Sequence, residues 1–134
     1  MQVELVSPEG ITYSGEASMV VVRTVGGGDI AFQPRHAPFI GVLQIREAKI
    51  FADEGTEVFA VHSGFVQCHG DKVSILSDVS ESRPEIDVTR AQASLESAAS
   101  ALRENDEDED AIAAKDRAET RLRVATGGAA SAAH

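Results

Sequence analysis

Residues 72–102 read KVSILSDVSESRPEIDVTRAQASLESAASAL, and the spacing of the apolar residues changes within this stretch. Before Pro84, apolar and polar residues alternate, as in Val73-Ser74-Ile75, which is typical of a strand with one solvent-facing side. After Asp87, apolar or small residues recur at steps of three and four, which is typical of a helix packed on a second helix. These residues are Val88, Ala91, Leu95, Ala98 and Leu102. The stretch therefore predicts that a β region gives way to a helical region near Pro84.

The part before Pro84 is predicted to be a small antiparallel β-sandwich or barrel. Short runs rich in Val, Ile and Phe are separated by turn residues at spacings of roughly 8–12 residues, which is typical of that class. The predicted turns include Gly26-Gly27-Gly28, Glu54-Gly55 and Gly70-Asp71. The predicted strands are 2–6, 11–13, 18–24, 39–45, 48–51, 58–62, 65–69 and 73–76. We expect residues 1–84 to form one domain.

Residues 85–134 are predicted to form an antiparallel two-helix hairpin. A second series with steps of three and four runs through Ala111, Ala114, Ala118, Leu122 and Ala125. The acidic run 105–110 between the two series suits a turn and a helix N-terminus, where the helix dipole favours anions. Gly127-Gly128 is predicted to end the second helix, with a frayed tail after residue 126. The seam is mostly alanine and buries little area, so we expect a hairpin that can open and repack.

Composition excludes several classes of function. A net charge of −10 opposes binding to nucleic acid or to anionic lipid, because both need clustered cations. A single cysteine excludes a disulfide framework and a zinc site with several cysteines. No apolar run reaches the roughly 20 residues of a membrane span, and the N-terminus lacks the segments of a secretory signal. We therefore expect a soluble, cytoplasmic, acidic protein.

Candidate catalytic groups are few. Gly26-Gly27-Gly28 lacks the Lys-Ser/Thr and the βαβ unit of a phosphate-binding loop, which favours a turn. Cys68 and His69 are adjacent in a predicted strand, so their side chains point to opposite faces and cannot form a dyad. His36 and His62 have no third ligand at metal-like spacing, and a chemically inert role is favoured for His62. These residues give no reason to predict an enzyme.

Two other stretches are candidates for binding. Residues 28–39 contain two prolines four apart, which predicts a pre-shaped loop that is either a protein contact surface or a rigid crossover. Arg90, Arg117 and Arg121 are expected at the open end of the hairpin, where three guanidiniums and a helix N-terminus can hold a phosphate. Asp87 can then bind a base or ribose. The alternative is that these arginines are solvated or paired with Glu85, Asp116 and Glu119.

Several collinear segments of this chain resemble the epsilon subunit of the F-type ATP synthase. The resemblance extends from Val3 to about Ala125. It is carried by VSPEG at 6–10, YSGEA at 13–17, GDI at 28–30, PRHAPF at 34–39, HSGFV at 62–66 and IDVTRA at 86–91. The fourth segment is similar to the family's Pro-Gly-His-Ala-Pro-Leu, and the last to its Ile/Leu-Asp-x-x-Arg-Ala nucleotide motif.

The resemblance implies a non-catalytic rotor subunit of the central stalk of a proton-translocating ATP synthase, at the cytoplasmic face of the cell membrane. It implies a sandwich that binds the gamma subunit and the c ring, with no insertion into the membrane and no nucleic-acid partner. It also implies a hairpin that alternates between a folded-down form and an extended form that inhibits ATP hydrolysis, where it would reach the catalytic alpha and beta subunits. No cofactor is required, and ATP is implied as a regulatory ligand.

Site residues follow from the resemblance by position. The nucleotide motif of the first helix falls on Ile86, Asp87, Arg90 and Ala91, and the arginine pair of the second helix on Arg117 and Arg121. The interface with the c ring and the gamma subunit falls on Asp29, Pro34, His36 and Pro38. No catalytic or metal-binding residue is implied. Ser82 stands where nucleotide-binding members have Glu, and Arg35 where Gly or Asn is usual.

Two further functions stay open. One is a stand-alone ATP-sensing regulatory protein built on the same arginines. The other is a small hydrolase that uses Asp29, His36 or Cys68. The absence of a nucleophile and base at suitable spacing counts against the hydrolase.

Overall fold

The computed structural model describes residues 1–126, which form an eight-stranded β-sandwich followed by two helices. The predicted fold class is confirmed. The strands are β1 (Gln2–Ser7), β2 (Gly10–Glu16), β3 (Met19–Thr24), β4 (Gly28–Phe32), β5 (Phe39–Leu43), β6 (Arg46–Ala52), β7 (Gly55–His69) and β8 (Lys72–Ser82). A 3₁₀ turn at Arg83–Glu85 leads to α1 (Val88–Glu104) and α2 (Glu109–Ala125). The predicted helix end at Gly127-Gly128 and the tail after residue 126 lie outside the described residues, and the division into domains 1–84 and 85–134 stays a prediction.

The strands form one curled sheet with the order β2-β1-β8-β7-β5-β3-β4, and β6 pairs with both β3 and β7. β1 runs parallel to β8, whereas the other pairs are antiparallel. β7 pairs with β6 through its first half and with β5 through its second half. The long strands β7 and β8 therefore pass from one layer of the sandwich to the other.

The core lies between the two layers and is filled by every second residue of the strands. Val3 and Leu5 of β1 lie opposite Val73 and Ile75 of β8, and all four side chains are fully buried. A shift of register by one residue would turn these side chains to solvent, so burial fixes the pairing. The same register decides which side chains the outer faces present.

β7 is one continuous strand, where two strands at 58–62 and 65–69 were predicted. Ser63 and Gly64 have positive φ angles of 67° and 129°. Val61 and Val66 both point into the core although they are five residues apart, so the alternation changes phase between them. The Ser63-Gly64 pair is thus a bend that carries the chain into the second layer, and not a turn that ends a strand.

The prediction of a loop over residues 28–39 is wrong for its first five residues, which form a strand, and for Phe39, which begins β5. Gly28–Phe32 forms β4, which pairs with β3, so that Asp29 lies opposite Arg23 and Phe32 opposite Val20. The loop is confined to residues 33–38. Phe32 is fully buried and anchors β4 in the core.

The two helices form the predicted antiparallel hairpin. Asp87 caps α1 by accepting a hydrogen bond from the Arg90 backbone N–H at 3.0 Å. Asp108 caps α2 in the same way, by accepting a hydrogen bond from the Ala111 backbone N–H at 3.1 Å. Between the helices the buried positions are alanines: Ala91, Ala98, Ala111 and Ala118. The predicted seam residue Val88 is exposed instead. No helix within residues 1–126 is long and apolar enough to span a membrane.

α2 rather than α1 packs on the sandwich, against β6, β7 and the 3₁₀ turn. Its contact face includes Thr120 and Val124, which are buried and lie outside the predicted alanine seam. Val124 packs against Ala60 of β7 and Ile86. One face of α2 therefore holds α1 and another face holds the sandwich.

Candidate functional site

An apolar row crosses the outer face of five strands. Cross-strand pairing places Val42 of β5, Phe65 of β7, Leu76 of β8, Val6 of β1 and Ile11 of β2 side by side. Directly paired residues point to the same side of a sheet, so these side chains form one surface. Four of them are exposed, Phe65 by 52%. We call Val6, Ile11, Val42, Phe65 and Leu76 the apolar row. A contiguous apolar surface of this kind is typical of a protein interface.

The predicted interface residues lie at two ends of β4. Asp29 lies next to the β3–β4 turn and pairs with Arg23 at 3.4 Å, on the surface. Pro34, His36 and Pro38 lie in the loop at the opposite end of the strand, and Pro34 and Pro38 are exposed. The structure therefore does not bring Asp29 together with the other three. Any partner that contacts both ends must span the length of β4.

The loop at 33–38 is held in shape by its own residues. His36 packs its ring on Phe32 and Phe39, with centroid distances of 4.8 and 6.5 Å, and its Nδ1 lies 2.7 Å from the Ala37 carbonyl oxygen. Arg35 has a φ of 68°, the left-handed conformation that favours glycine. This agrees with the resemblance, in which Gly or Asn is usual at that position.

Four of the six predicted nucleotide-binding residues line one pocket. The pocket has a volume of about 330 Å³ and lies between the 3₁₀ turn, the start of α1 and α2. Its lining residues are Glu81, Glu85, Asp87, Arg90, Ala91, Ser94 and Arg121. Ile86 is buried beneath it beside Val124, and Arg117 does not line it. The lining carries three carboxylates and two guanidiniums, so its net negative charge disfavours binding of a triphosphate that carries no metal ion.

Arg121 does not pair as the sequence alternative proposed. Its Nε donates to Glu81 Oε1 of β8 at 2.7 Å, whereas Glu85 binds Ser82 by two hydrogen bonds. Asp87 is occupied as the cap of α1. A phosphate at this site would have to draw Arg121 away from Glu81.

A second cross-strand row lies beneath α2. Glu47 of β6, Ala60 of β7 and Glu81 of β8 are directly paired, so two carboxylates flank a fully buried alanine. Arg123 of α2 donates to both oxygens of Glu47 at 3.2 Å, and Arg121 donates to Glu81. We call Glu47–Arg123 and Glu81–Arg121 the two clamps. They hold α2 from both sides of Val124.

Glu47 is charged despite its burial, with 6% of its side chain exposed. Burial raises its pKa, but a hydrogen bond from its own backbone and the cations of Arg123 and Arg46 lower the pKa further, so the net direction is downward. Arg46 adds a third contact at 2.9 Å. A buried carboxylate of this kind needs its partners, since an unpaired one would cost several kcal/mol.

His62 lies at the same interface, on the outer face of β7. Its side chain is only 4% exposed, and its Nε2 donates to Glu81 Oε1 at 2.9 Å. Its Nδ1 is buried without a hydrogen-bond partner within residues 1–126. The prediction that His62 is chemically inert stays a prediction, and the structure adds that the residue lies between the sandwich and α2.

Of the other candidate catalytic groups, Cys68 lies beside the loop at 33–38, with its Sγ 4.0 Å from the His36 backbone carbonyl oxygen and not in contact with the imidazole. Cys68 is buried and His69 exposed, on opposite faces of β7 as predicted. Burial, and secondarily the Asp71 carboxylate, raises the pKa of the Cys68 thiol, which makes it unreactive. Within residues 1–126 no group of three His, Cys, Asp or Glu side chains is placed to hold a metal ion.

The sequence pattern did not indicate that Glu47, Glu81 and Arg123 meet at one interface. The alternation Glu47-Ala48-Lys49-Ile50 places Glu47 on an outer face, and that signal was available. Which outer face α2 covers depends on the path of the chain after Ser82. Strand periodicity carries no information about that path.

The comparisons with known proteins agree with the resemblance. The sequence profile of a family described as "ATP synthase, Delta/Epsilon chain, beta-sandwich domain" matches residues 1–83. An ATP synthase epsilon chain of Streptomyces griseus is 44% identical over 125 residues, which cover 92% of this chain and 94% of that one. An ATP synthase epsilon chain of Shouchella clausii is 37% identical over 126 residues, covering 93% and 94%.

Solved structures share the fold. A chain in the cryo-EM structure of the Euglena gracilis mitochondrial ATP synthase, with OSCP, F1 and c-ring, gives a TM-score of 0.68 at 18% identity, covering 98% of this chain and 80% of that one. A chain in the central stalk and c-ring of the Tetrahymena thermophila mitochondrial ATP synthase gives 0.56 at 18% identity, covering 96% and 95%.

Proposed function

This chain belongs to the ATP synthase epsilon chain family, and on that premise we propose that it is a non-catalytic subunit of the central stalk of an F-type ATP synthase. It binds the gamma subunit and the c ring through its sandwich, peripheral to the membrane at the cytoplasmic face. Its hairpin regulates ATP hydrolysis by leaving the sandwich. This assignment replaces the small-hydrolase alternative.

The observation that carries the docking role is the apolar row. Four of its five side chains are exposed although the strands bury a core between the layers, and a partner that covers them would gain the free energy of removing them from water. Ile40, 69% exposed, extends the row toward Pro38 and the loop at 33–38. The row, with Pro38 at its margin, is suited to a broad protein partner such as the gamma subunit.

Binding to the gamma subunit tests this proposal. Phe65→Asp places a charge in the middle of the apolar row, at a solvent-facing position whose core neighbours are untouched. We expect the variant to lose binding to a gamma–c-ring assembly at least tenfold. Ile112→Asp is the matched control, because Ile112 is an exposed apolar residue of α2 outside the row. Equal binding of both variants and the unmodified chain would remove the apolar row from the interface.

The two clamps support the regulatory role of the hairpin. The apolar part of its contact with the sandwich is small: Ala60, Ile86 and Val124, with Val58 and Ala125 at the margin. Ion pairs carry much of the remainder, and ion pairs give way when the charges find other partners. A docked form of this kind can exchange with an extended form, in which the freed arginines can contact the alpha and beta subunits.

ATP is a second candidate ligand, as a regulator and not as a substrate. The observation in its favour is that Asp87, Arg90, Ala91 and Arg121 line a single pocket. Titration of ATP against the unmodified chain and Arg90→Ala tests it, with Arg103→Ala, on the exposed face of α1, as the control. We expect Arg90→Ala alone to weaken binding about tenfold. Equal weak binding by all three proteins would exclude a nucleotide role for this pocket.

A further inference from the structure

We propose that release of the hairpin from the sandwich is coupled to uptake of one proton by His62, so that mild acid favours the released form. This inference rests on the proposed function, in which the hairpin leaves the sandwich, and it adds His62 as the group that responds to pH. The sensor belongs to the sandwich, whereas the element that it controls is α2.

The geometry around His62 admits only one protonation state in the docked form. A carboxylate can only accept, so the 2.9 Å contact with Glu81 Oε1 places the imidazole proton on Nε2. The same Oε1 accepts from Arg121 Nε at 2.7 Å. A second proton would sit on Nδ1, which is buried without an acceptor in the described part of the chain. An unmet buried donor carrying charge is costly, so docking excludes the imidazolium.

The charged groups that face His62 come from two elements. β8 contributes Glu81, and α2 contributes Arg121 and Arg117. Burial lowers the pKa of His62, the hydrogen bond and charge of Glu81 raise it, and the two arginines lower it, with a net downward direction. Departure of α2 would remove the burial and both arginines, whereas Glu81 would stay beside His62 on the sandwich. The pKa of His62 must therefore rise on release.

The sign of the pH dependence follows from proton counting. The released form binds more protons at His62 than the docked form, so docking is strongest above the ordinary pKa of 6.5 and weakens as the pH falls below it. Glu47 also favours docking only when ionised, but its lowered pKa confines that effect to pH values below its ordinary 4.5. Between pH 7.5 and pH 5.5 the change in docking therefore reports His62 and not Glu47.

Distances between spin labels measure the released population directly. Labels on Glu54→Cys in the β6–β7 turn and Asp106→Cys in the hairpin turn, with Cys68→Ala as background, report whether the hairpin lies on the sandwich. We expect the ratio of released to docked chain to rise by up to about tenfold between pH 7.5 and pH 5.5, the limit when docked His62 takes up no proton. His62→Gln keeps a donor for Glu81 and does not titrate, so its ratio should be flat. His69→Gln, at an exposed position, should behave like the unmodified chain.

The outcomes separate this inference from the proposed function. A pH response that is the same in His62→Gln and in the unmodified chain overturns the inference. So does a flat response in the unmodified chain. If Arg123→Ala in the same labelled chain still releases the hairpin, the mobile hairpin stands and only the proton coupling fails. If no variant and no pH produces a released population, the mobile hairpin fails with it.

Discussion

At the scale of single residues, a few side chains make buried contacts that the periodicity of their strand does not predict. Glu47 is an outward residue by alternation, yet the structure buries it beneath α2 and opposite Arg123. Loss of Arg123 would leave this carboxylate with Arg46 as its ion-pair partner within residues 1–126, and it would stay buried only while α2 is docked. The hairpin can expose Glu47 to water by leaving the sandwich, so the loss of stability caused by removing Arg123 cannot exceed the free energy of docking. Substitutions in the clamps should release α2 without unfolding the sandwich.

Gly64 is the residue on which the change of layer in β7 depends. A Cβ at this position would overlap the Leu76 carbonyl oxygen of the neighbouring strand, and φ is 129°. We expect Gly64→Ala to lower the free energy of unfolding by more than about 3 kcal/mol, measured by urea denaturation.

Gly55→Ala is the matched control for Gly64→Ala. Gly55 has a similar φ of 135°, but a Cβ added there would meet no other atom within 4 Å, so its substitution carries the backbone strain alone. We expect a loss of only about 1–2 kcal/mol there. A similar loss of unfolding free energy in the two variants would show that the β8 backbone moves at Leu76 to accommodate the added Cβ. That result would contradict a fixed bend at Gly64.

At the scale of elements, α2 connects the two parts of the molecule. Its alanine face meets α1, and the face that contains Thr120 and Val124 meets the sandwich. Thr120 lies at the margin, with Oγ1 at 3.5 Å from the Ile45 carbonyl oxygen. α1 reaches the sandwich mainly through α2, so both helices should leave together.

Val124→Ala tests whether docking is a separate event from folding. Val124 is 1% exposed, and the loss of its two methyl groups should weaken docking by about 1–2 kcal/mol. Hydrogen exchange should then quicken at the α2 amides that face the sandwich and stay unchanged in β1 and β8. Val88→Ala, at an α1 position that is 38% exposed, should change neither set. Uniform quickening across the sandwich would mean that hairpin and sandwich unfold as one unit.

The sequence predicts elements better than it predicts contacts between them. Alternation in residues 72–76 and the three-and-four steps after Asp87 placed a strand and a helix where the structure has them, because local periodicity reports which side is buried. The same reasoning split β7 at Ser63-Gly64, since a phase change within a strand resembles a turn in the sequence. Four nucleotide-motif residues converge on one pocket, but the pairing of Arg121 with Glu81 joins residues 40 apart and leaves no local signal.

At the scale of the whole molecule, docking and regulation occupy different surfaces. The apolar row crosses β7 and β8 at Phe65 and Leu76. Ala60 and the clamp residue Glu81 lie five residues away along these strands, a path of about 16 Å that includes the bend at Ser63-Gly64. A partner on the apolar row therefore leaves the hairpin site uncovered. The sandwich can hold the stalk while α2 docks or leaves.

The most direct test of this account is the binding of residues 1–84 alone to a gamma–c-ring assembly that lacks this subunit. The account predicts stoichiometric binding with an affinity within about threefold of the full chain, because the apolar row lies wholly within the sandwich. A truncated chain that keeps its strand signal by circular dichroism and still fails to bind would contradict it, since docking would then depend on the hairpin.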